Sequence, residues 1–288
     1  MRREAMAKDT ITISVLHPGE MGAAVGAAAS LPGTRVIWCS DGRSGATERR
    51  ARTRGLEDVH TLEQLVDQSE VIISICPPHA AEDIARAIAA LGYQGLFVDA
   101  NAVSPQRARR IGEIVNGTGA TFVDGGIVGG PPKQPGTTRL YVSGDATKTV
   151  EDVFAGSPLE VIAIEGGPGA ASAIKMAYAA WSKGTTALLT AIHALAISED
   201  VHDELLAEWQ RSQSELLSRS GRGMSSAAAK AWRWVAEMEE IAATFAAAGL
   251  PDGFHLAAAD VYRKLEQFKD DADAPNGAEL ARHLLPGK

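Results

Sequence analysis

Lys175 stands in Gly169-Ala170-Ala171-Ser172-Ala173-Ile174-Lys175, within an Ala-rich helical segment where Ile174, Met176 and Ala177 speak for burial nearby. A desolvated lysine has its pKa lowered and can then take a proton from a hydroxyl or return one to a carbonyl. The competing reading is a solvated lysine on an amphipathic helix. Proton exchange of this kind pairs naturally with a hydride-carrying cofactor, and the amino-terminal part of the chain offers a place for one. There Val15-Leu16-His17-Pro18-Gly19-Glu20-Met21-Gly22 closes an apolar run and opens an Ala-rich helix. Glycines at a strand-to-helix turn let backbone approach a pyrophosphate while the helix N-terminus faces its negative charge. Gly19 and Gly22 match the second and third glycines of G-x-G-x-x-G, His17 replaces the first, and Pro18, Glu20 and Met21 fill the spacing. A plain structural turn is the alternative.

Next along the chain comes Cys39-Ser40-Asp41-Gly42-Arg43-Ser44, at the end of the second apolar run. An acid at this point holds the ribose 2′-hydroxyl of NAD, whereas an arginine accommodates the 2′-phosphate of NADP. Asp41 speaks for the first and Arg43 for the second, while Arg49, Arg50, Arg52 and Arg54 read as a solvated helix face. Two further strand ends, Ile75-Cys76-Pro77-Pro78 and Asp99-Ala100-Asn101, should border a ligand crevice at the carboxyl edge of a sheet. Cys76 reads as a small buried hydrophobe rather than a nucleophile. Ser104 precedes Pro105 and suits a helix N-cap. The glycine-rich Asp124-Gly125-Gly126-Ile127-Val128-Gly129-Gly130 could cradle a carboxylate with successive backbone N–H groups, or simply end a strand in a tight turn. In the second half, Trp232, Trp234, Met238 and Phe245 read as core or dimer packing before pocket lining. His193 reads as a packing histidine, and His255 is the polar residue there to watch. Cys39 and Cys76 lack metal-ligand spacing, so no metal site is expected.

The Gly-x-Met-Gly turn, the Asp124–Gly130 segment and Lys175, in this order and spacing over roughly residues 11–190, resemble the 6-phosphogluconate dehydrogenase and β-hydroxyacid dehydrogenase superfamily. That resemblance implies an NAD(P)-dependent oxidoreductase acting on a small, anionic hydroxy or keto substrate, with Lys175 as general acid and base. It implies cofactor contacts from His17 to Gly22, from Asp41, Arg43 and Ser44, and from Cys76, Pro77 and Asn101. The pair Arg43-Ser44 resembles the Arg-Ser/Thr pair that members use for NADP, so NADP is favoured and NAD left open. It implies substrate contacts from Gly126, Val128, Gly129 and Gly130; outside the family pattern, Tyr178 could supply a hydroxyl, Lys183 lies about two turns beyond Lys175 on a similar face, and His255 is a further substrate candidate. Three departures from the family pattern stand out: Val128 replaces a serine, Ala171 the second glycine before the lysine, and Ala179 the asparagine four residues after it. Imine reductases resemble the same superfamily but generally replace the lysine, so Lys175 favours carbonyl chemistry; imine reduction and cofactor binding without turnover are the rivals. The resemblance also implies a homodimer built through helical domains.

These residues need a scaffold, and the first half supplies it: ITISVL at 11–16, RVIWC at 35–39, VIISIC at 71–76, GLFVDA at 95–100, ATFVDG at 120–125, RLYVSG at 139–144 and LEVIAI at 159–164 alternate with helical segments. Continuous apolar strands alternating with helices predict a doubly wound, mostly parallel Rossmann-type α/β sheet. After Glu165 the pattern becomes helical, over about 169–197, 200–219, 224–248 and 254–268 with a short segment at 277–285, which predicts an all-α domain. Residues 1–10 read as a loose leader, 11–165 as the cofactor domain and 166–288 as the helical substrate and dimerisation domain. A break is expected at Gly221-Arg222-Gly223. The chain has 288 residues and a formal net charge of −8, which disfavours a nucleic-acid partner that requires phosphate neutralisation. No apolar stretch approaches the ~18 residues of a membrane span, and the cysteine usage fits a reducing cytoplasm.

Overall fold

The computed structural model describes residues 10–269, 271 and 273–286, so the expected leader lies outside the described residues apart from Thr10. Eight strands form one sheet: β1 (Ile11–Leu16), β2 (Thr34–Trp38), β3 (Glu57–Asp58), β4 (Val71–Ser74), β5 (Leu96–Asp99), β6 (Thr121–Val128), β7 (Thr138–Ser143) and β8 (Leu159–Ala163). Their order is β3-β2-β1-β4-β5-β6-β7-β8, with every pairing parallel except β6 with β7. The order reverses between β1 and β4, which creates the crevice where open α/β sheets bind ligands. Two-residue β3 has no apolar run and was invisible to hydropathy.

Strand side chains alternate between two cores. Ile13, Val15, Val71, Ile73 and Val98 fill one face, and Leu16, Ile37, Ile72 and Phe97 the other. Helices α1 (Glu20–Ala29), α2 (Gly45–Thr53), α3 (Leu62–Gln68), α4 (Ala81–Ala90), α5 (Pro105–Asn116) and α6 (Thr147–Val153) cover them. Small residues set the closest approach: a Cβ on Gly26 of α1 would stand 3.0 Å from Leu56 and 3.2 Å from Val15. Ser44 caps α2 by accepting from the Thr47 N–H, Thr61 caps α3 from the Gln64 N–H, and Ser104 holds the N-cap position ahead of Pro105 in α5.

The chain divides into two compact units after Lys175, ten residues beyond the boundary read from composition. The first turns of α7 (Ala170–Ser198) are bonded to the sheet, as described below, and belong with it. The second unit continues α7 and adds α8 (His202–Ser212), α9 (Ser214–Ala247), α10 (Gly253–Leu265) and α11 (Gly277–Arg282). The expected break at Gly221–Gly223 does not occur. Those glycines lie inside α9, where a Cβ on Gly223 would stand 3.0 Å from the Thr186 hydroxyl. Gly223 permits close helix approach, and the break falls instead at Gln213, whose φ of −149° and ψ of 59° leave the helical region. Among the described residues no helix is long and apolar enough to cross a membrane.

Candidate functional site: a dinucleotide crevice and a lysine at the sheet edge

The turn from β1 to α1 has the geometry its glycines foretold. A Cβ on Gly22 would lie 2.6 Å from the His17 carbonyl oxygen, so only glycine lets α1 start this close to the strand end. His17 adopts φ 63°, the left-handed conformation that the glycine of the usual fingerprint takes without strain. Gly19 is the N-cap of α1, and the first-turn N–H groups of such a helix have no intrahelical acceptor. Arg50 is not merely part of a solvated face: its Nη1 donates to the Pro18 carbonyl at 3.3 Å and braces the turn from α2.

Beside this turn, at the carboxyl ends of β1, β2 and β4, lies a cavity of about 270 Å³ lined by Leu16, His17, Arg43, Leu62, Ala80, Asp83, Ile84 and Ala87. Apolar walls with a few convergent polar groups are what an adenosine moiety requires. Of the three polar residues on the wall, two present buried atoms without a hydrogen-bond partner, His17 Nδ1 and Arg43 Nε, and an orphaned buried polar atom calls for a partner from outside the protein. Burial, with the Arg43 charge second, lowers the His17 imidazole to a pKa of about 4, so it is neutral at physiological pH. Ser44 spends its hydroxyl on the α2 cap and on Thr47, and Asp41 is exposed. The residues present therefore fit the adenosine half of a dinucleotide, with Arg43 as the cation facing it.

A buried polar rung crosses the sheet next to this crevice. Ser74, Asp99, Asp124 and Ser143 are register partners on β4, β5, β6 and β7, and all four are at most 1% exposed. Strands lie about 4.8 Å apart and paired residues share a face, so the two carboxyl groups are immediate neighbours. They are handled in opposite ways. Asp124 accepts from the N–H groups of Gly169 and Ser172, both at 2.9 Å, from the Ser172 hydroxyl at 2.6 Å and from the Ser143 hydroxyl at 3.2 Å. This pins the N-terminus of α7 to the sheet. Asp99 accepts from the Asn101 amide, but its Oδ2 has no partner. Burial first, and the Asp124 charge second, push its carboxyl up to about 8.

Asn101 was expected to reach the cofactor. Its amide is instead spent inside the protein, where Oδ1 accepts from the Cys76 N–H at 2.5 Å and Nδ2 donates to the Ser74 hydroxyl at 3.0 Å and to Asp99. It ties two strand ends together and so fixes Cys76 and Pro77. Burial raises the Cys76 thiol to about 12, the opposite of what activates a cysteine nucleophile.

The Asp124–Gly130 segment is not a free loop. Through Val128 it is strand β6, laddered to β7 from Asp124↔Ser143 to Val128↔Arg139. Only the edge that runs past the end of β5 is left without a strand partner, so backbone capture of a substrate is confined to that edge and to Gly129-Gly130. Gly126 has a different task. A Cβ there would stand 2.5 Å from the Ala171 carbonyl and 2.9 Å from the Lys175 Cβ. The glycine lets α7 lie directly on β6 and sets the stem of Lys175 on the sheet, at its carboxyl edge.

In the helical unit the expected substrate residues separate. Tyr178 is 49% exposed, whereas Ala179 is buried. Lys183 forms an ion pair with Glu237, lies 5.6 Å over Trp234, and its carbonyl accepts from the Tyr262 hydroxyl at 2.6 Å. Its charge is used within the bundle. His255 packs against Phe245 at 4.3 Å between ring centroids, and burial lowers its pKa. Trp234 meets Tyr262 edge-on, Met238 is fully buried, and His193 bonds His202 at 2.8 Å, so these three are packing residues. Among the described residues no group of three or more His, Cys, Asp or Glu side chains is arranged to hold a metal ion.

Comparison with known proteins agrees with this geometry. Residues 196–265 match a domain of unknown function, DUF1932. A protein of Methanothermus fervidus, described as an uncharacterized 28.5 kDa protein in the 7S RNA 5′ region, is 30% identical over 172 residues, 59% of this chain. The matched part spans less than two thirds of that relative, 65%. The fold is shared with 3-hydroxyisobutyrate dehydrogenase of Mycobacterium tuberculosis, with a TM-score of 0.69, 17% identity and coverage of 96% of this chain and 99% of the other. It is shared as well with a conserved protein of unknown function described as structurally similar to 3-hydroxyacid dehydrogenases, with a TM-score of 0.66, 24% identity and coverage of 90% and 98%. An imine reductase of Streptomyces aurantiacus has the fold at a TM-score of 0.55, 20% identity and coverage of 96% and 100%. The sheet unit carries the assignment: residues 12–157 match the NAD binding domain of 6-phosphogluconate dehydrogenase, and the chain belongs to that family.

Proposed function

We propose that this protein is an oxidoreductase that works between a nicotinamide dinucleotide, NADP in preference to NAD, and a small anionic hydroxy or keto substrate, with Lys175 as general acid and base. The observation that carries the reading is the seating of the Lys175 stem on Gly126 at the carboxyl edge of a dinucleotide-type sheet. The preference for NADP rests on Arg43, whose Nε lines the adenosine-sized cavity without a partner, whereas Asp41 faces solvent. When bound, the nicotinamide accepts or supplies the hydride. Lys175 handles the proton: in oxidation its Nζ takes the hydroxyl proton as the neighbouring C–H bond gives up its electron pair, and in reduction it returns a proton to the carbonyl oxygen. The free edge of β6 and Gly129-Gly130 provide backbone donors for the substrate's anionic group. Val128 brings no hydroxyl of its own where a serine would, and Tyr178, three residues after Lys175 on α7 and 49% exposed, offers one.

The test is a screen of 3-hydroxy acids, keto acids and cyclic imines against NADPH and NADH, followed by Lys175→Met, which keeps the apolar stem. Loss of a proton-transfer group costs about 10²–10⁴-fold in turnover, with NADPH affinity unchanged. Undiminished turnover in the variant removes Lys175 from the chemistry, and reduction of imines alone transfers the assignment to that class. We also propose a homodimer. Trp181, Leu188 and Leu195 recur every seven residues along α7, and each is about 60% exposed, a stripe that a second helix covers. Sedimentation equilibrium of the protein and of Leu188→Glu tests it, because a monomeric wild-type protein excludes that use of the stripe.

A further inference from the structure

Resting on the dinucleotide reading, we infer that His17 is a specificity-determining residue, which together with Arg43 reads the 2′-phosphate of the cofactor's adenosine half. The fingerprint glycine that His17 displaces has no side chain, so the position ordinarily serves backbone geometry alone. Here the left-handed backbone is kept, with φ 63°, and a side chain has been added to it. L-residues accept that conformation at a cost, so the imidazole has something to return. Its surroundings indicate what. His17 lines the same cavity as Arg43, and each offers it one buried nitrogen with no partner inside the protein, Nδ1 and Nε. Asp83, the other polar residue on the wall, is paired with Arg86 at 3.0 Å and largely exposed, so it does not fill that role. A guanidinium beside a neutral imidazole in its Nδ1–H tautomer supplies one charged and one neutral donor to a phosphate group. Two uncharged ribose hydroxyls would leave the guanidinium uncompensated. The structure thus assigns to His17 a contact that a glycine could never make.

The experiment uses the full chain and two adenine nucleotides that carry no nicotinamide, 2′,5′-ADP and 5′-AMP, titrated calorimetrically. Two variants separate backbone from side chain. His17→Gly keeps the left-handed backbone and removes the ring, whereas His17→Asn tolerates the same backbone and places an amide N–H near the position of Nδ1. A hydrogen bond to a charged group is worth about ten- to a hundredfold in affinity. His17→Gly should therefore weaken 2′,5′-ADP by at least about tenfold while leaving 5′-AMP within about twofold, and His17→Asn should restore most of the loss. If His17→Gly binds both nucleotides as the wild type does, or weakens both equally, His17 does not read the 2′ position and the proposal is overturned while the dinucleotide reading stands. If the wild-type protein binds neither nucleotide, the dinucleotide reading itself fails and takes the proposal with it.

Discussion

Asp99 gives the sharpest quantitative test of how this sheet is built. Its carboxyl is fully buried, lacks a partner at Oδ2, faces the Asp124 carboxylate on the next strand, and has a pKa of about 8 in the folded protein. In the unfolded chain an aspartate titrates near 3.9. The raised value means that between about pH 4 and pH 8 the folded state holds a proton that the unfolded state has released, so stability falls as pH rises through this window. The slope approaches 1.4 kcal/mol per pH unit, or about 3 kcal/mol between pH 5 and pH 7. Asp99→Asn removes this dependence, because the amide has the same shape, keeps Oδ1 as acceptor for Asn101 and does not titrate. The stability gap in favour of the variant should widen by about 3 kcal/mol from pH 5 to pH 7, which for a unit of this size corresponds to roughly 6–12 °C in Tm. Thermal unfolding followed by circular dichroism at the two pH values, without nucleotide, measures the difference directly. A wild-type-to-variant gap that stays constant from pH 5 to pH 7 would show that Asp99 is ionised in the folded protein, and the account of the rung would be wrong.

Other expectations follow from single contacts. Gly126→Ala inserts a Cβ 2.5 Å from the Ala171 carbonyl, so it should destabilise the protein by about 1–3 kcal/mol and lift Lys175, with kcat falling more than nucleotide affinity; a variant as stable as the wild type would mean that α7 is not seated on β6. Asp124→Ala removes the acceptor of four hydrogen bonds at the start of α7 and should cost about 3 kcal/mol or more, seen as early amide exchange in that first turn; unchanged protection there would contradict the anchor. Asp200 follows α7 in the left-handed conformation at φ 55° and is exposed. Asp200→Gly should therefore raise stability by about 1 kcal/mol, measured by urea unfolding, and a loss of stability would show that its side chain does work at the helix end.

Much of this was legible in the chain. Seven apolar runs announced seven of the eight strands because a parallel sheet covered on both faces needs side chains that are apolar in both directions. The turn at Gly19 and Gly22 was legible for a steric reason, since a Cβ at Gly22 cannot coexist with the His17 carbonyl. What stayed hidden was pairing across the sheet. Ser74, Asp99, Asp124 and Ser143 are far apart in sequence, and each looks like an ordinary strand-end polar residue; only register makes them one rung. The same holds for Asn101, whose amide looked available for a ligand until Ser74, Asp99 and Cys76 were brought to it. Lys183 looked like a second available cation on the helix of Lys175 until Glu237, 54 residues away, was placed beside it.

The rung also ties together two stretches that are far apart in the sequence. On one side Asn101 hangs from Ser74 and Asp99 and fixes the strand ends that carry Cys76 and Pro77; on the other, Asp124 grips Gly169 and Ser172 and so fixes where α7 begins. Lys175 follows Ser172 by three residues, about one helical turn, and Gly126 removes the last obstacle to its stem reaching the sheet. On the proposed role of Lys175, the protein must hold a proton-transfer group steady relative to a ligand at other strand ends, and misplacement by about 1 Å is costly. Burying two adjacent carboxyl groups is the energetic cost of that rigidity. One is offset by four donors and the other avoids ionisation, which makes the acid-side stability of the sheet and the positioning of Lys175 consequences of the same row of residues.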